Sequence, residues 1–503
     1  MMSQFFCRGF LSFVLMLGLG FQSVQAREMP KLENDEQRAL FLLTGAERMA
    51  KGEAEHSKIA ELYAKLGKWD KAKLSLARIP KDKRALANTD VAIVMAKAGE
   101  IDQAQALLDE VGDQPAVKDY GFMKFDNKQT LHLAIMEAKL KTGHFKDAME
   151  HRKFLTTDEN LNTATRTTVK QWALTGAIDE AVEVAQQIKD KNTKKWAIRD
   201  IALVCIDQKK YDKAIAIYQQ NDQADEVNRA YSQQIRGLYK AGKTDEAFVI
   251  ATKQKLLGVL IPLVTQEKKL KVATSLYALL PTFEQDQYAR LTPAKQIAQL
   301  AAELGEMGVA EQYLEYVPAK LRDVDWMHAS GTIGGFAASR GDGAATAKYM
   351  EKITATGNFN HQTIFIMYLI KNAVAAHQGG QLKMSELLLD QAIKEIDALP
   401  QKSSMEQATY SNQRKALAVA YIRMGEDQRA FAYMQALAGE DKSQSEFQNA
   451  LVGSTFDEGV GVILVKQNRI DVLMQYLTLF KSQSDLAWTM ASLAGRFVPE
   501  QNN

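Results

Sequence analysis

The stretch Ile59–Pro80, IAELYAKLGKWDKAKLSLARIP, holds two helical patterns joined at a glycine. Ala60, Tyr63 and Ala64 share one face before Gly67, and Trp69, Ala72, Leu76 and Ile79 share one face after it. Spacings of three and four place side chains on one stripe of a helix. Gly67 has the freedom at positive φ that a tight helix-to-helix reversal needs. Ala72, five residues on, is small enough for the second helix to lie close against the first. The stretch therefore predicts an antiparallel helical hairpin.

The same pair recurs as Gly99/Ala104, Gly143/Ala148, Gly176/Ala181, Gly242/Ala247, Gly305/Ala310 and Gly425/Ala430. Lys209/Ala214, Lys268/Ala273 and Asn468/Leu473 keep the phase without the glycine. A small residue stands seven before most turns (Ala60, Ala92, Ala202, Ala298), and an apolar one two after (Trp69, Ile101, Phe145, Ile178). Turns at 143, 176, 209 and 242 keep a 33-residue period, which drifts elsewhere. One hairpin buries too few apolar side chains to offset the entropy of ordering itself, so neighbours must stack. The expected fold is all-α, a solenoid superhelix of about twelve hairpins over residues 59–481. A helical lead-in over 27–58 precedes it, and a capping helix and tail over 482–503 follow. The first helix of each hairpin should line a concave groove. The irregular stretch 255–295 and the glycine-rich 331–343 are the expected joints, and the second also reads as close helix packing.

These features resemble the tetratricopeptide repeat superfamily. The residues that carry the resemblance are the small residue before the turn, the turn glycine, the apolar residue two later and the alanine five later. The proline that usually closes such a repeat is mostly absent, although Pro80, Pro281 and Pro318 stand thirteen after their turns. The resemblance covers roughly residues 40–480 and implies partner binding.

The first residues read as a targeting segment. Arg8 precedes the apolar run Gly9–Phe21, and Val24-Gln25-Ala26 supplies a cleavage site. The run is about 13 residues, short of the ~20 that span a bilayer. A secretory signal peptide over 1–26 is expected, hence a periplasmic or secreted protein with no membrane span after cleavage. The formal charge of +2, to which the leader adds one arginine, argues against nucleic-acid binding. Beyond the leader one cysteine remains, Cys205, so no intrachain disulfide is expected. Its position, four before a turn, predicts a buried small apolar residue.

One segment imitates catalytic machinery. Gly237–Thr244, GLYKAGKT, matches the phosphate-loop pattern, and Ile201–Asp207, IALVCID, resembles a magnesium-binding segment. That chemistry needs a strand feeding the loop, whereas Arg229–Lys240 has helical periodicity and Gly242 is in phase with the other turns. The repeat explains both features. The seven histidines, His144 and His151 among them, show no metal-ligand spacing, and no serine or cysteine nucleophile elbow occurs. No cofactor, metal or catalytic residue is expected, and the chain does not read as an enzyme.

Groove-facing positions in the hairpins turning at 176, 209 and 242 carry Arg166, Lys170, Arg199, Arg229 and Arg236, with Tyr239 and Trp196 beside them. A basic stripe in a near-neutral chain predicts a ligand-binding groove for an acidic partner, unless the stripe is internally paired. The leading expectation is a scaffold or adaptor that holds a protein or peptide partner without catalysis. The alternative is an accessory factor for envelope polysaccharide or peptidoglycan machinery, binding an anionic glycan.

Overall fold

The computed structural model describes residues 31–114, 116–119, 124–282, 287–318, 324–354, 359–440, 444–454 and 457–499. The expected leader lies outside them. Apart from two short antiparallel ribbons, Val117–Asp119 with Lys124–Asp126 and Gly453–Ser454 with Asp457–Glu458, the regular elements described are helical. No described helix is long and apolar enough to cross a membrane.

The hairpin read from Ile59–Pro80 is present. Helix Glu53–Lys65 ends at Gly67, where φ is 68°, and helix Trp69–Ala77 follows. The Lys68 N–H donates to the Tyr63 carbonyl at 2.8 Å, and the Gly67 N–H to the Ala64 carbonyl at 2.8 Å. These bonds close the end of the first helix by satisfying carbonyls that have no partner within it. The turns at 99, 143, 176, 209, 242, 268, 305, 341, 380, 425 and 468 repeat the longer bond. Lys209, Lys268 and Asn468 hold φ of 60°, 57° and 57°, so the turn forms in phase even where a Cβ must be accommodated. The residue five after each of these turns is buried, with Thr346, Ser385 and Leu473 standing where the other hairpins use alanine. The all-α stack of tetratricopeptide-like hairpins is therefore the fold.

The chain divides into two compact units, Met1–Ala164 with Tyr410–Asn503, and Thr165–Thr409. The first unit joins the two ends of the chain. Helix Gln483–Gly495 packs on helix Asp35–Met49 and also reaches Glu53–Lys65. Leu42, Leu43 and Ala46 are buried, as are Met490, Ala491 and Ala494. The Leu32 N–H donates to Asn468 Oδ1 at 2.9 Å, and the Ser484 hydroxyl donates to the Glu55 carboxylate. Helix Gln483–Gly495, in the stretch read as a capping helix and tail, thus covers Asp35–Met49 and also contacts Ser445–Val452.

In the second unit, the expected irregular segment contains a 3-10 turn at Leu257–Val259 and the short helix Ile261–Gln266. Within the glycine-rich segment, residues up to Ser339 continue the helix Val324–Ser339. A Cβ on Gly331 would sit 2.2 Å from the Tyr368 ring, and one on Gly335 would sit 2.9 Å from Asn372 Oδ1. These glycines let that helix approach helix Phe359–Gln378 closely, which is the packing reading of the segment.

The turn geometry sets two opposite expectations. Gly242→Ala should cost about 1 kcal/mol, while Lys209→Gly should be neutral or stabilising by up to ~1 kcal/mol, both read from urea unfolding midpoints. Truncation after Ser482 should remove amide-exchange protection from Asp35–Met49; full retained protection there would show that the terminal contact contributes nothing to that helix.

Candidate functional site

Three successive first helices carry the basic stripe: Asp158–Leu174, Lys191–Asp207 and Ala224–Lys240. Arg166 meets Asp200 through Nε at 2.9 Å and a terminal nitrogen at 2.8 Å. Arg199 Nε lies 3.2 Å from Glu226 Oε1, and Arg229 lies 3.8 Å from Glu226 Oε2. The guanidinium carbons of Arg166 and Arg199 sit 5.6 and 4.9 Å from the centre of the Trp196 ring, which is 44% exposed. Guanidinium over an indole is attractive because the cation meets the electron-rich face. The structure thus brings Arg166, Trp196 and Arg199 together.

It also supplies the acids that the groove template passed over. Asp200 lies 34 residues beyond Arg166, about one repeat, so the pair bridges adjacent hairpins. Arg166 is thereby paired with Asp200, while Arg199 and Arg229 share the single carboxylate of Glu226, so the stripe is internally paired in part. Lys170 and Arg236 are exposed and show no ion pair among the described residues. Tyr239 belongs to a different set of contacts: its hydroxyl donates to Glu267 Oε2 at 2.7 Å, and Lys269 Nζ meets the same oxygen at 2.6 Å. Near the stripe, the Tyr218 hydroxyl and Gln223 Oε1 are buried without a hydrogen-bond partner. Burial, reinforced by the Glu226 charge, pushes the Tyr218 phenol up to about 12.

The phosphate-loop look-alike is a hairpin turn. Residues 237–240 finish helix Ala224–Lys240, Gly242 has φ 78°, and Thr244 opens helix Thr244–Lys253. Three of the amides that would have to face phosphate are already engaged. Ala241 N–H donates to the Gly237 carbonyl, Gly242 N–H to Tyr239, and Lys243 N–H to Leu238, all within 3.1 Å. Lys243 itself pairs with Glu246 at 3.1 Å.

Histidine and cysteine fare differently. Cys205 is buried, and burial raises its thiol pKa. His151 pairs with His132, not with His144: the two Nδ1 atoms are 3.1 Å apart and the ring centres 5.4 Å apart. That separation is close to the largest such a contact allows, so the nitrogens face each other along one line. This is the geometry of an N–H···N hydrogen bond, not of two lone pairs converging on a metal. His132 also stacks on Phe154 at 4.3 Å. Burial, aided by Lys139 and by His132 and opposed by Glu150, holds His151 down to about 4. Burial likewise lowers His132, against the pull of Asp126. No group of three or more potential metal ligands occurs among the described residues.

A surface of another kind lies elsewhere in the second unit. Helices Gly343–Thr354, Phe359–Gln378 and Leu382–Asp397 enclose an open groove of about 750 Å³. Its apolar lining includes Met350, Phe365, Leu369, Met384 and Leu388, and Leu387 stands 70% exposed beside them. Glu351, Glu395 and Lys383 contribute charge. The sequence carried a signal for it: in the run Leu387-Leu388-Leu389, one leucine of an amphipathic helix must face outward.

No family model matches the chain, and no curated protein matches it in sequence. Among solved structures, the APC/C hetero-tetramer Cut9-Hcn1 matches over 99% of this chain and 94% of its own, at 13% identity and a TM-score of 0.24. A circular tandem repeat protein with novel repeat topology matches over 92% and 98%, at 12% identity and a TM-score of 0.16. Likeness at this level carries no functional argument, and the chain's class, a tetratricopeptide-like helical-repeat protein, rests on its own hairpin geometry.

Glu226→Gln should lower stability by roughly 1–3 kcal/mol in urea unfolding, because Arg199 is left half-buried without a counter-charge. A loss equal to that of Glu246→Gln, at an exposed pair, would show that the Glu226 contact is no more than a surface pair. The histidine pair sets a pH dependence. Since the folded state depresses both pKa values, its contribution is full above the unfolded value of about 6.5 and is lost as pH falls toward 4. Stability at pH 5 should be lower by on the order of 2 kcal/mol than at pH 7.5, and His151→Leu should flatten that slope in thermal unfolding.

Proposed function

We propose that this protein is an exported, non-catalytic scaffold that holds an amphipathic helix of a partner protein in the groove lined by Met350, Phe365, Met384 and Leu387. The observation that carries the reading is the exposure of Leu387 at 70% on the edge of an apolar groove of about 750 Å³. Contiguous apolar surface of this kind marks an interaction site, and methionine lets such a surface adapt to its partner. The occupant's chemistry follows from the lining. Two carboxylates against one ammonium favour a helix with basic residues flanking its apolar stripe. The pairing of Arg166 with Asp200 and of Arg199 with Glu226 weighs against the acidic-peptide alternative, whose remaining support is Lys170, Arg236 and an Arg229 that shares Glu226 at 3.8 Å.

Export supports a periplasmic setting through the leader expected at residues 1–26. The mature chain isolated from its own envelope should begin at Arg27, as read from intact mass. A photocrosslinker placed at Met384 should capture a protein partner there. The captured segment, made as a peptide, should bind at least about tenfold more weakly to Leu387→Asp, a loss of ~1.4 kcal/mol. Leu387 is exposed, so that variant should keep its unfolding midpoint. Crosslinking from Lys170 or Arg236 but not from Met384 would replace this reading with the acidic-partner one.

A further inference from the structure

A second pocket of the same unit, about 390 Å³, lies where the phosphate-loop look-alike meets the next hairpin. Tyr239, Lys240, Gly242 and Thr244 line one side; Leu263, Gln266, Glu267 and Lys269 line the other. Its size falls within the range of small-molecule sites. Its chemistry is specific. Glu267 Oε2 accepts from both Tyr239 and Lys269, at 2.7 and 2.6 Å, which anchors the carboxylate and leaves Oε1 outside those two contacts. The same contacts lower the Glu267 pKa, with the Lys269 hydrogen bond the largest cause, and the phenol is held in its donor form. Lys240 is exposed and has no ion pair among the described residues.

These groups sort into three functions. The Tyr239 ring offers an apolar face to aliphatic C–H groups. Glu267, Gln266 and Thr244 offer acceptors, donors and a hydroxyl, the groups that hydrogen-bond sugar hydroxyls. Lys240 offers a cation for an anionic substituent. The Ala241, Gly242 and Lys243 amides are bonded within the turn and do not face a phosphate chain.

We propose that this pocket binds one acidic sugar unit, a uronic-acid residue of a glycan, with its ring face on Tyr239, its hydroxyls on Glu267 and Gln266 and its carboxylate on Lys240. This site is separate from the Leu387 groove, and each can fail without the other. The probe is a galacturonic-acid trimer, with a neutral galactose trimer as control, followed by saturation-transfer NMR and calorimetry on the mature chain. The acidic trimer is expected to bind, and the neutral one about tenfold more weakly. Lys240→Met should abolish that preference, and Tyr239→Ala should abolish binding. Tyr239→Phe, which keeps the ring and the packing, should retain the ring contact but weaken binding through a released Glu267. Lys253→Met, outside the pocket, should change nothing. No transfer from the acidic trimer at about 10 mM would overturn the proposal. So would binding that Tyr239→Ala and Lys240→Met leave intact, and so would binding of magnesium-ATP that Lys240→Met removes while the trimer does not compete.

Discussion

The structure depends on one backbone bond, from the residue after each turn to the carbonyl four before it. That bond ends the first helix, reverses the chain and sets the start of the second helix at a constant offset. The offset puts the fifth residue after the turn against the preceding helix, where only a small or well-fitted side chain is accommodated. Gly67 and Ala72 satisfy both demands, and so do Lys209 and Ala214, although lysine has to enter the left-handed region to do so. A hairpin built this way still exposes an apolar flank. Its neighbours cover that flank, which is why the fold extends by addition and why partner-sized grooves remain between hairpins.

Addition leaves two ends with uncovered apolar flanks, and this chain resolves them within a single compact unit. The helices Asp35–Met49 and Gln483–Gly495 cover each other, and the residues between Thr165 and Thr409 form the second unit. Stability of the first unit is therefore shared between residues more than 400 apart in sequence, as the bond from Leu32 to Asn468 illustrates.

The charged and polar surfaces follow a different logic from the core. In the second unit, cations on first helices find acids one repeat away, and long side chains settle on aromatic faces such as Trp196. Repetition makes this pairing natural, since every helix face has an equivalent face at a fixed distance. What the pairing leaves over is informative: an apolar groove beside Leu387 and an aromatic, mixed-charge pocket at Tyr239. Both are properties of spaces between hairpins, not of any one helix.

The hairpin fold was legible from the sequence because its determinants are local. Turn phase, the small residue five later and the apolar spacing are all set within one repeat, and even the glycine-free turns at Lys209, Lys268 and Asn468 were readable from phase. The false phosphate loop and the buried Cys205 were legible for the same reason. The candidate site was legible only in part. The spacing puts Arg166 and Arg199 in one stripe with Trp196 beside it, but their acids come from helix positions outside the groove template, and only the packing angle between hairpins brings them close. The meeting of His132 with His151, the packing of Gln483–Gly495 on Asp35–Met49, and the Leu387 and Tyr239 surfaces likewise arise from how separate helices are stacked. Sequence alone determined what each hairpin would be; only the tertiary structure decided which side chains those hairpins bring together, because distances between helices depend on packing that no single repeat contains.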